Sequence, residues 1–338
     1  MNKCFLTGFV IFFLSVLPAV SSEPVYSIDY SPRAEPGSIY PVRFQEQWMR
    51  VHEELKVILV DSQENVVVKG RSFLLGGRVN SALAASRGDG GEAVVLIAVP
   101  NTLSPGEYEL RFFGISGDDA DQEKLIMSDK VDVVERSFES MNIALKESLT
   151  KMRRSPNPKK TKQAREIQRI YGTFNPESVY DGERWIVPLE EYKYITSSFG
   201  DRRIYEYSDG DTARSIHNGV DLAAPEGTPV KASAGGRVAV AEDRIISGKS
   251  VVIEHLPGMY SIYFHLDSLD VEKGDWVEQG ERIGTVGETG LATGSHLHWE
   301  VRLNGEPMDP WELTKTGIFE IISITEGPLR GHEDSEGG

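Results

Sequence analysis

The chain has little cysteine, little positive charge and few long apolar runs, and each shortage excludes a class of protein. Cys4 is the single cysteine among 338 residues, so disulfide bonds within the chain are excluded and its stability must rest on hydrophobic cores or on a metal. The 52 acidic residues outnumber the 36 basic ones, and the formal charge of −16 argues against nucleic acid or anionic membrane as a partner. The length of 338 residues and an apolar content of 39% are sufficient for two domains, each with its own core.

Residues 1–22 have the features of a secretory signal peptide. Lys3 supplies a positive charge, residues 4–20 are almost wholly apolar, and small residues near Ala19 provide a site for cleavage. An uncleaved membrane anchor is the alternative, but Pro18 and an apolar run shorter than roughly 20 residues count against it. We therefore expect a periplasmic or secreted protein with no stable membrane insertion after the signal is removed.

Residues 23–136 are predicted to form a β domain. Short runs of β-forming residues alternate with polar turns, which is typical of a small β-sandwich. No catalytic combination of residues occurs here, and His52 is interpreted as an ordinary, partly exposed histidine. The predicted strands cover residues 39–44, 55–60, 93–99 and 107–112.

Residues 137–182 are predicted to form a basic helical connector. Apolar residues recur at spacings of three and four from Phe138 to Met152, which predicts an amphipathic helix, and residues 155–158 break it. A second helix is predicted to run to Tyr171. Because basic residues cluster along both helices, we interpret the connector as a solvated arm paired with the acidic domains. A surface for an anionic polymer of the cell envelope is the alternative.

Residues 183–326 are predicted to form an antiparallel β domain with a cleft. Strands at 251–254 and 261–266 flank a predicted turn at 255–259, and Asn304-Gly305 is typical of a hairpin. No part of this segment shows helical periodicity.

The acidic tail, residues 327–338, is predicted to be disordered and contains His332, which is not expected to bind anything. The expected fold class is therefore mainly β. It consists of a β-sandwich-like domain, a helical connector and an antiparallel β domain, in that order.

Three of the seven histidines fall in two short segments of the C-terminal half. His217 lies four residues before Asp221, and His296 lies two residues before His298. Because side chains alternate along a β-strand, each pair can point to one face, and two adjacent strands would bring the four groups together. Neutral imidazoles and a carboxylate bind zinc, and three such ligands leave an open position. The pattern predicts metal-assisted hydrolysis, with the remaining histidine as a base or hydrogen-bond donor.

Two further histidines precede the second segment. His265 lies on a predicted strand with Tyr263 on the same face. It could stabilise an oxyanion, protonate a leaving amine, or be a hydrogen-bonded core residue. His255 lies at a strand end beside a turn and is interpreted as a surface histidine. Either short motif alone could arise by chance in a loop, so the prediction rests on their joint occurrence among glycine-rich β-hairpins.

Beyond these motifs, residues 194–312 resemble the lysostaphin-type, LytM-like zinc metalloendopeptidases of bacterial cell walls. The N-terminal half more loosely resembles the β-rich domain and helical connector of some exported members. The similar stretches of the C-terminal half are residues 195–203, 217–230, 263–266, 284–290, 293–301 and 309–310.

The resemblance implies a role for each matching residue and an antiparallel β domain with zinc at the floor of a groove. The ligands of one zinc ion would be His217, Asp221 and His298. The general base would be His296, with His265 stabilising the transition state beside it.

Other positions carry weaker implications. A tyrosine before the first ligand can help to hold the oxyanion in this family, which makes Tyr205 and Tyr207 candidates. Ser295 stands where many relatives have proline, and we expect no consequence for metal binding. Because some relatives close the groove with an upstream segment, we expect residues 23–172 to gate access here.

The resemblance implies that the substrate is peptidoglycan, cut in its stem peptides or cross-links during wall remodelling. One alternative is a non-catalytic module that binds wall polymer or activates an amidase, and the complete ligand set argues against it. Another is an enzyme that attacks foreign walls, and the lack of a repeated wall-targeting module argues mildly against that. The bond that is cut and the oligomeric state cannot be predicted from this sequence.

Overall fold

The computed structural model describes residues 28–44, 54–74, 93–115, 123–178 and 183–324. The predicted signal peptide, His52 and the predicted acidic tail with His332 lie outside these residues. Within the described ranges, no helix has the length and apolar character that crossing a membrane requires.

Among the described residues of the N-terminal half, eight strands form one sheet, and the four strands predicted there are confirmed. The order is β1-β3-β6-β5-β4-β7-β8-β2, in which β2 is parallel to β8 and all other neighbours are antiparallel. The strands are β1 (Ile28–Asp29), β2 (Arg33–Ala34), β3 (Ile39–Phe44), β4 (Glu54–Val60), β5 (Val66–Leu74), β6 (Ala93–Ala98), β7 (Gly106–Ile115) and β8 (Glu123–Val133).

This N-terminal sheet curls until its inner faces pack against each other. Tyr40 of β3 and Ile97 of β6 share one buried cluster with Leu59 of β4 and Leu110 of β7. β6 is buried along its whole length, which explains its continuous apolar sequence. The sandwich-like arrangement predicted for this half is therefore confirmed.

The connector begins with a strand, so the prediction of one helix across residues 138–152 is wrong in its first part. β9 (Ser140–Ala144) pairs in parallel with β11 (Arg202–Glu206). Met141 and Ile143 also fit the two-residue period of a strand. Hydrogen bonding to the backbone of β11 makes this segment a strand and not the first part of a helix.

Two helices complete the connector on either side of the predicted break. α1 (Glu147–Arg154) precedes it, and α2 (Pro158–Tyr171) follows it. The Asn157 side chain accepts hydrogen bonds from two backbone N–H groups in the first turn of α2, and Pro158 suits that turn because it has no N–H to satisfy. Ile167 packs against the C-terminal sheet. The connector is therefore held against the protein along α2.

A ten-stranded antiparallel sheet forms the C-terminal half, as predicted. Its main path is β10-β13-β20-β17-β16-β15-β18, with β14, β19 and β21 paired alongside, while β11, β12 and β9 form a separate small sheet. The strands are β10 (Tyr194–Ser197), β12 (Thr212–Ile216), β13 (Gly219–Ala223), β14 (Pro229–Lys231), β15 (Gly236–Arg244), β16 (Gly248–Leu256), β17 (Met259–Leu269), β18 (Trp276–Val277), β19 (Arg282–Val286), β20 (His296–Leu303) and β21 (Glu306–Met308).

Two short helices follow the last strand, so the expectation of no helix in this half is wrong. They are α3 (Pro310–Lys315) and α4 (Ile318–Ile324). Helices of six and seven residues are too short to display a helical period in sequence. Leu313 and Ile318 nevertheless anchor both in the core of the C-terminal sheet.

The N-terminal and C-terminal sheets share a buried apolar layer, which includes Leu96 of β6 and Met308 of β21. Polar contacts border it. Arg136 forms an ion pair with Asp309 at 2.5 Å. The Glu312 carboxylate accepts a hydrogen bond from the backbone N–H of Ile39 at 3.0 Å.

Candidate metal and catalytic site

The two predicted motifs lie on adjacent strands. β13 contains Asp221 and β20 contains His296 and His298. Antiparallel pairing sets Asp221 opposite His298 and Ala223 opposite His296. Leu297, between the two histidines, points to the other face and is fully buried in the core. Strand alternation therefore places the chemistry on one face and the core on the other.

Three donor atoms converge at one point. His217 Nε2 lies 3.0 Å from Asp221 Oδ1 and 3.0 Å from His298 Nδ1. His298 Nδ1 lies 2.8 Å from Asp221 Oδ1. All three side chains are buried. The structure thus brings together the three residues predicted as metal ligands.

This donor set fits a tetrahedral zinc ion with one open position. Zinc bonds of about 2.0–2.2 Å set tetrahedral ligands about 3.3 Å apart, so these donors need to separate by only a few tenths of an ångström. Two imidazoles and a single carboxylate are typical of a catalytic zinc site, whereas a structural site has four protein ligands.

Hydrogen bonds to the other ring nitrogens fix both imidazoles in the orientation that metal binding requires. His217 donates from Nδ1 to the carbonyl oxygen of Ser198 at 2.9 Å, which leaves Nε2 to face the site. In His298 the two nitrogens have the opposite roles: Nε2 donates to the Glu300 carboxylate at 3.1 Å, and Nδ1 faces the site. Such partners set the tautomer and make each imidazole a stronger ligand.

The second oxygen of Asp221 is held by Arg203 of β11. The guanidinium forms an ion pair with Asp221 Oδ2 and also donates from Nε to Ser197 Oγ at 3.2 Å. Burial alone would raise the pKa of Asp221, but the neighbouring His217 and His298 outweigh it and hold that pKa well below its usual value. Asp221 is therefore an ionised ligand that offers one oxygen to a metal.

Behind His298, Glu300 is buried and forms an ion pair with Arg302. Burial lowers the pKa of His298, but its hydrogen bonds to Asp221 and Glu300 outweigh this and raise it to about 9. The guanidinium of Arg302 lies over the ring of Tyr171, 4.7 Å from its centroid. The helical connector therefore packs behind the residues that orient His298.

His296 lies beside the three donor atoms without joining them. Its Nε2 is 3.8 Å from Asp221 Oδ1. Its Nδ1 donates to the carbonyl oxygen of Gly294 at 2.7 Å, so the lone pair of Nε2 is available to accept a proton.

His265 reaches the same place through an irregularity in β17. Its ring centroid lies 4.8 Å from that of His296. The backbone of His265 has φ = 62°, and the pairing of β17 with β16 and with β19 shifts register nearby. This bulge turns the side chain towards the site. The prediction that Tyr263 shares its face is wrong, because Tyr263 pairs with Trp299 on the core side.

Burial and the neighbouring histidines keep His265 neutral. Burial first, and then the positive charge that His296 and His298 can carry, lower the pKa of His265 to about 3. Its Nδ1 donates to the carbonyl oxygen of Thr289 at 2.7 Å, so its Nε2 is also an acceptor in the resting protein.

His255 is a core residue, so its interpretation as a surface histidine is wrong. It is fully buried. Nδ1 donates to the carbonyl oxygen of Gly235, and Nε2 is bonded to Ser261 Oγ, both at 2.7 Å. Strands β16 and β17 continue past the predicted turn and carry His255 inward.

The two candidate tyrosines, Tyr205 and Tyr207, contact the connector. The Arg153 guanidinium of α1 lies 4.0 Å from the centroid of the Tyr205 ring. Arg153 Nε also donates to Tyr207 Oη at 3.1 Å. Leu291, in the segment before His296, packs in the same cluster. Helix α1 therefore bridges two segments that lead into the site.

Sequence reasoning missed the residues that support the ligands. Glu300 could have been found, because it lies two residues after His298 and shares its strand face. Arg203 ends one of the stretches that carry the resemblance, but nothing local predicts its contact with Asp221, since only folding brings the two side chains together.

Comparison with known proteins adds a family to this geometry. Residues 215–310 match the model of peptidase family M23. Over 95 residues the chain is 45% identical to the DD-carboxypeptidase/endopeptidase Mpg of Neisseria meningitidis serogroup B, which is 28% of this chain and 22% of that protein. Over 119 residues it is 40% identical to the peptidoglycan DD-endopeptidase ShyB of Vibrio cholerae, covering 35% of this chain and 27% of ShyB.

A solved structure matches the same region. The catalytic domain of the antimicrobial peptidase lysostaphin from Staphylococcus simulans is 30% identical, with 37% of this chain and 93% of that domain covered and a TM-score of 0.32. The chain thus spans nearly all of that domain but less than a third of the length of the two curated relatives.

Proposed function

The chain belongs to peptidase family M23, and we propose that it is an exported zinc metalloendopeptidase that hydrolyses peptide bonds of peptidoglycan during wall remodelling. The observation that carries this proposal is the joint geometry of five side chains. Three donor atoms converge within about one ion's coordination sphere, and two more imidazoles lie beside them. The printed activities of the peptidoglycan endopeptidase relatives support the substrate class.

Bound zinc would be held by His217, Asp221 and His298 and would supply Lewis-acid polarisation and a water of lowered pKa. The proposed role of His296 follows from its free Nε2. That atom accepts a proton from the attacking water and returns it to the leaving amine, while the Nδ1 bond to Gly294 holds the ring in place.

His265 is proposed to stabilise the transition state. In the resting protein its Nε2 has no proton to donate, because Nδ1 carries the proton given to Thr289. As negative charge develops on the reacting carbonyl, Nε2 takes up a proton from solvent water and the charged ring donates a hydrogen bond to that oxygen; the proton returns to solvent when the charge collapses. The His265 ring is therefore neutral in the resting protein and charged only while the oxyanion is present.

Gating by residues 23–172 also stays a proposal. It is supported by the position of α1, which contacts Tyr205 and Tyr207 and whose Leu149 belongs to the cluster against which Leu291 packs. These two segments precede His217 and His296, so a helix that joins them restrains both. The division into residues 23–136, 137–182 and 183–326 is likewise a proposal.

Purified peptidoglycan digested with the zinc-loaded protein, residues 23–338, tests the activity. We expect mass spectrometry to find new uncross-linked fragments that name the bond cut. His298→Ala should release none. His255→Gln is the matched control, since it alters a buried histidine of the same sheet outside the site. An unchanged digest with the wild-type protein would contradict the proposal and favour a wall-binding or amidase-activating module.

A further inference from the structure

Tyr194 is an exposed aromatic residue at the edge of the C-terminal sheet. It is the first residue of β10, and 61% of its surface is accessible. β10 pairs with β13 on one side and with no other strand of the described residues. The Tyr194 hydroxyl makes no hydrogen bond to any residue that the structure describes. A large ring with so few contacts contributes little to folding.

The strand register places Tyr194 in the same row as the proposed base. Tyr194 is opposite Ala223 of β13, and Ala223 is opposite His296 of β20. Directly opposed residues share a face of the sheet, so Tyr194 lies on the face that carries the metal ligands. The next residue, Ile195, belongs to the other row, whose members Leu222 and Leu297 are fully buried in the core.

The distance between Tyr194 and His296 fits a short stretch of extended peptide. Two strand spacings of about 4.8 Å separate the backbones of Tyr194 and His296 by about 10 Å. The intervening residue is Ala223, which is small and buried, so a peptide between the two passes above it without touching its methyl group. An extended peptide rises about 3.3 Å per residue, so about three residues span the interval.

We propose that Tyr194 is a specificity-determining residue that contacts the substrate peptide about three residues from the bond being cut. This inference rests on the proposed peptidase function. The peptide runs along the row from His296 to Tyr194. Its scissile bond lies beside His296, and the residue about three positions away covers the Tyr194 ring. The ring supplies apolar area, and its hydroxyl can donate to a peptide carbonyl.

Substitution of Tyr194 tests the contact. A contact made equally in the ground state and the transition state changes KM and leaves kcat unchanged. With a cross-linked peptide substrate, Tyr194→Ala should raise KM about tenfold, as expected for loss of partial burial of an aromatic ring. The KM of Tyr194→Phe should lie between those of the wild type and Tyr194→Ala. Zinc content and the thermal midpoint should match those of the wild type, because the side chain is exposed.

Trp276→Ala is the matched control, since it removes another exposed aromatic residue from β18 at the opposite end of the sheet path. It should leave KM unchanged. A substrate truncated to one residue on each side of the scissile bond should be cut equally by the wild type and Tyr194→Ala. Equal KM values for both proteins with the long substrate would overturn the inference while leaving the peptidase function intact.

Binding without turnover separates the two proposals. Zinc-loaded His296→Ala protein is titrated with the cross-linked peptide, with and without the added Tyr194→Ala change, and Kd is measured by calorimetry. A Kd about tenfold weaker in the double variant supports the contact even if the wild type cuts nothing. An identical Kd, or no binding to either protein, contradicts it.

Discussion

The N-terminal and C-terminal sheets are built from the same alternating strands, but they bury different side chains. Among the described residues, the N-terminal sheet buries apolar groups almost alone, with Ser72 as a polar exception. The C-terminal sheet also buries charged groups and metal-binding side chains on one face, including Asp221, His298 and Glu300. Buried charges cost desolvation energy unless they are paired, so their concentration in one sheet marks the face where chemistry is held in position.

Removal of the proposed base should have the largest effect and should be confined to activity. We expect His296→Ala to lower kcat by about 10²–10⁴-fold, the usual range for loss of a general acid–base group. Zinc binding should persist, because His296 Nε2 lies 3.8 Å from the nearest ligand oxygen. Steady-state kinetics with metal analysis checks both. A wild-type kcat would remove His296 from the mechanism.

A core substitution in the N-terminal sheet should have the opposite signature. Phe112→Ala removes a fully buried ring and should lower the free energy of unfolding by about 3–5 kcal/mol. The kcat of the folded protein should stay unchanged, since Phe112 packs in the N-terminal cluster alone. Denaturant unfolding measures the loss of stability, and kinetics at low temperature, where the variant is folded, measures kcat. A matching loss of kcat would show that the sheets do not divide stability and chemistry between them.

The orienting carboxylate should have an intermediate effect. Glu300→Gln keeps the side-chain shape but removes the charge that holds His298 through Nε2. We expect zinc affinity to fall about 10–100-fold, as for other residues that orient a metal ligand. Competition with a chelator measures it. Glu254→Gln, on strand β16 and separated from β20 by β17, serves as a control and should bind zinc normally.

The gating proposal predicts a smaller change in the other direction. Arg153→Ala removes the two contacts that the Arg153 guanidinium makes with Tyr205 and Tyr207. We expect kcat/KM to rise by up to about fivefold, equivalent to roughly 1 kcal/mol, which is the scale of one cation–π contact. Lys151→Ala, on the exposed side of the same helix, is the control. An unchanged or lower rate for Arg153→Ala would argue against gating by this helix.

The sequence predicted the site better than the elements around it, for identifiable reasons. The spacings of His217 with Asp221 and of His296 with His298 survive in the structure because regular strands preserve them. His265 depends on a bulge, which no local pattern encoded. β9 was predicted as helix because its apolar spacing fits both periods, and only the edge of β11 selects the strand.

A pH-dependent effect on stability is expected where the two sheets meet. Burial and the nearby Asp309 carboxylate raise the pKa of Glu312 to about 8. The folded state therefore holds this proton more tightly than the unfolded state. Its stabilising effect is complete below the unfolded pKa near 4.5 and is lost as pH rises through about 8.

Glu312→Gln mimics the protonated group and should remove that dependence. We expect the thermal midpoint of the wild type to fall relative to that of Glu312→Gln between pH 5 and pH 9, because a pKa raised from 4.5 to about 8 corresponds to a few kcal/mol of stability across that range. Midpoints measured across that range check the difference. Parallel curves for the two proteins would contradict the buried state of Glu312.

The central claim is that one face of the C-terminal sheet binds a single zinc ion. Elemental mass spectrometry of the purified protein, after dialysis against zinc and removal of excess metal, tests it most directly. We predict one zinc ion per wild-type chain and none for His298→Ala or Asp221→Ala, with both variants still folded by circular dichroism. Zinc retained by either folded variant, or none in the wild type, would contradict the claim.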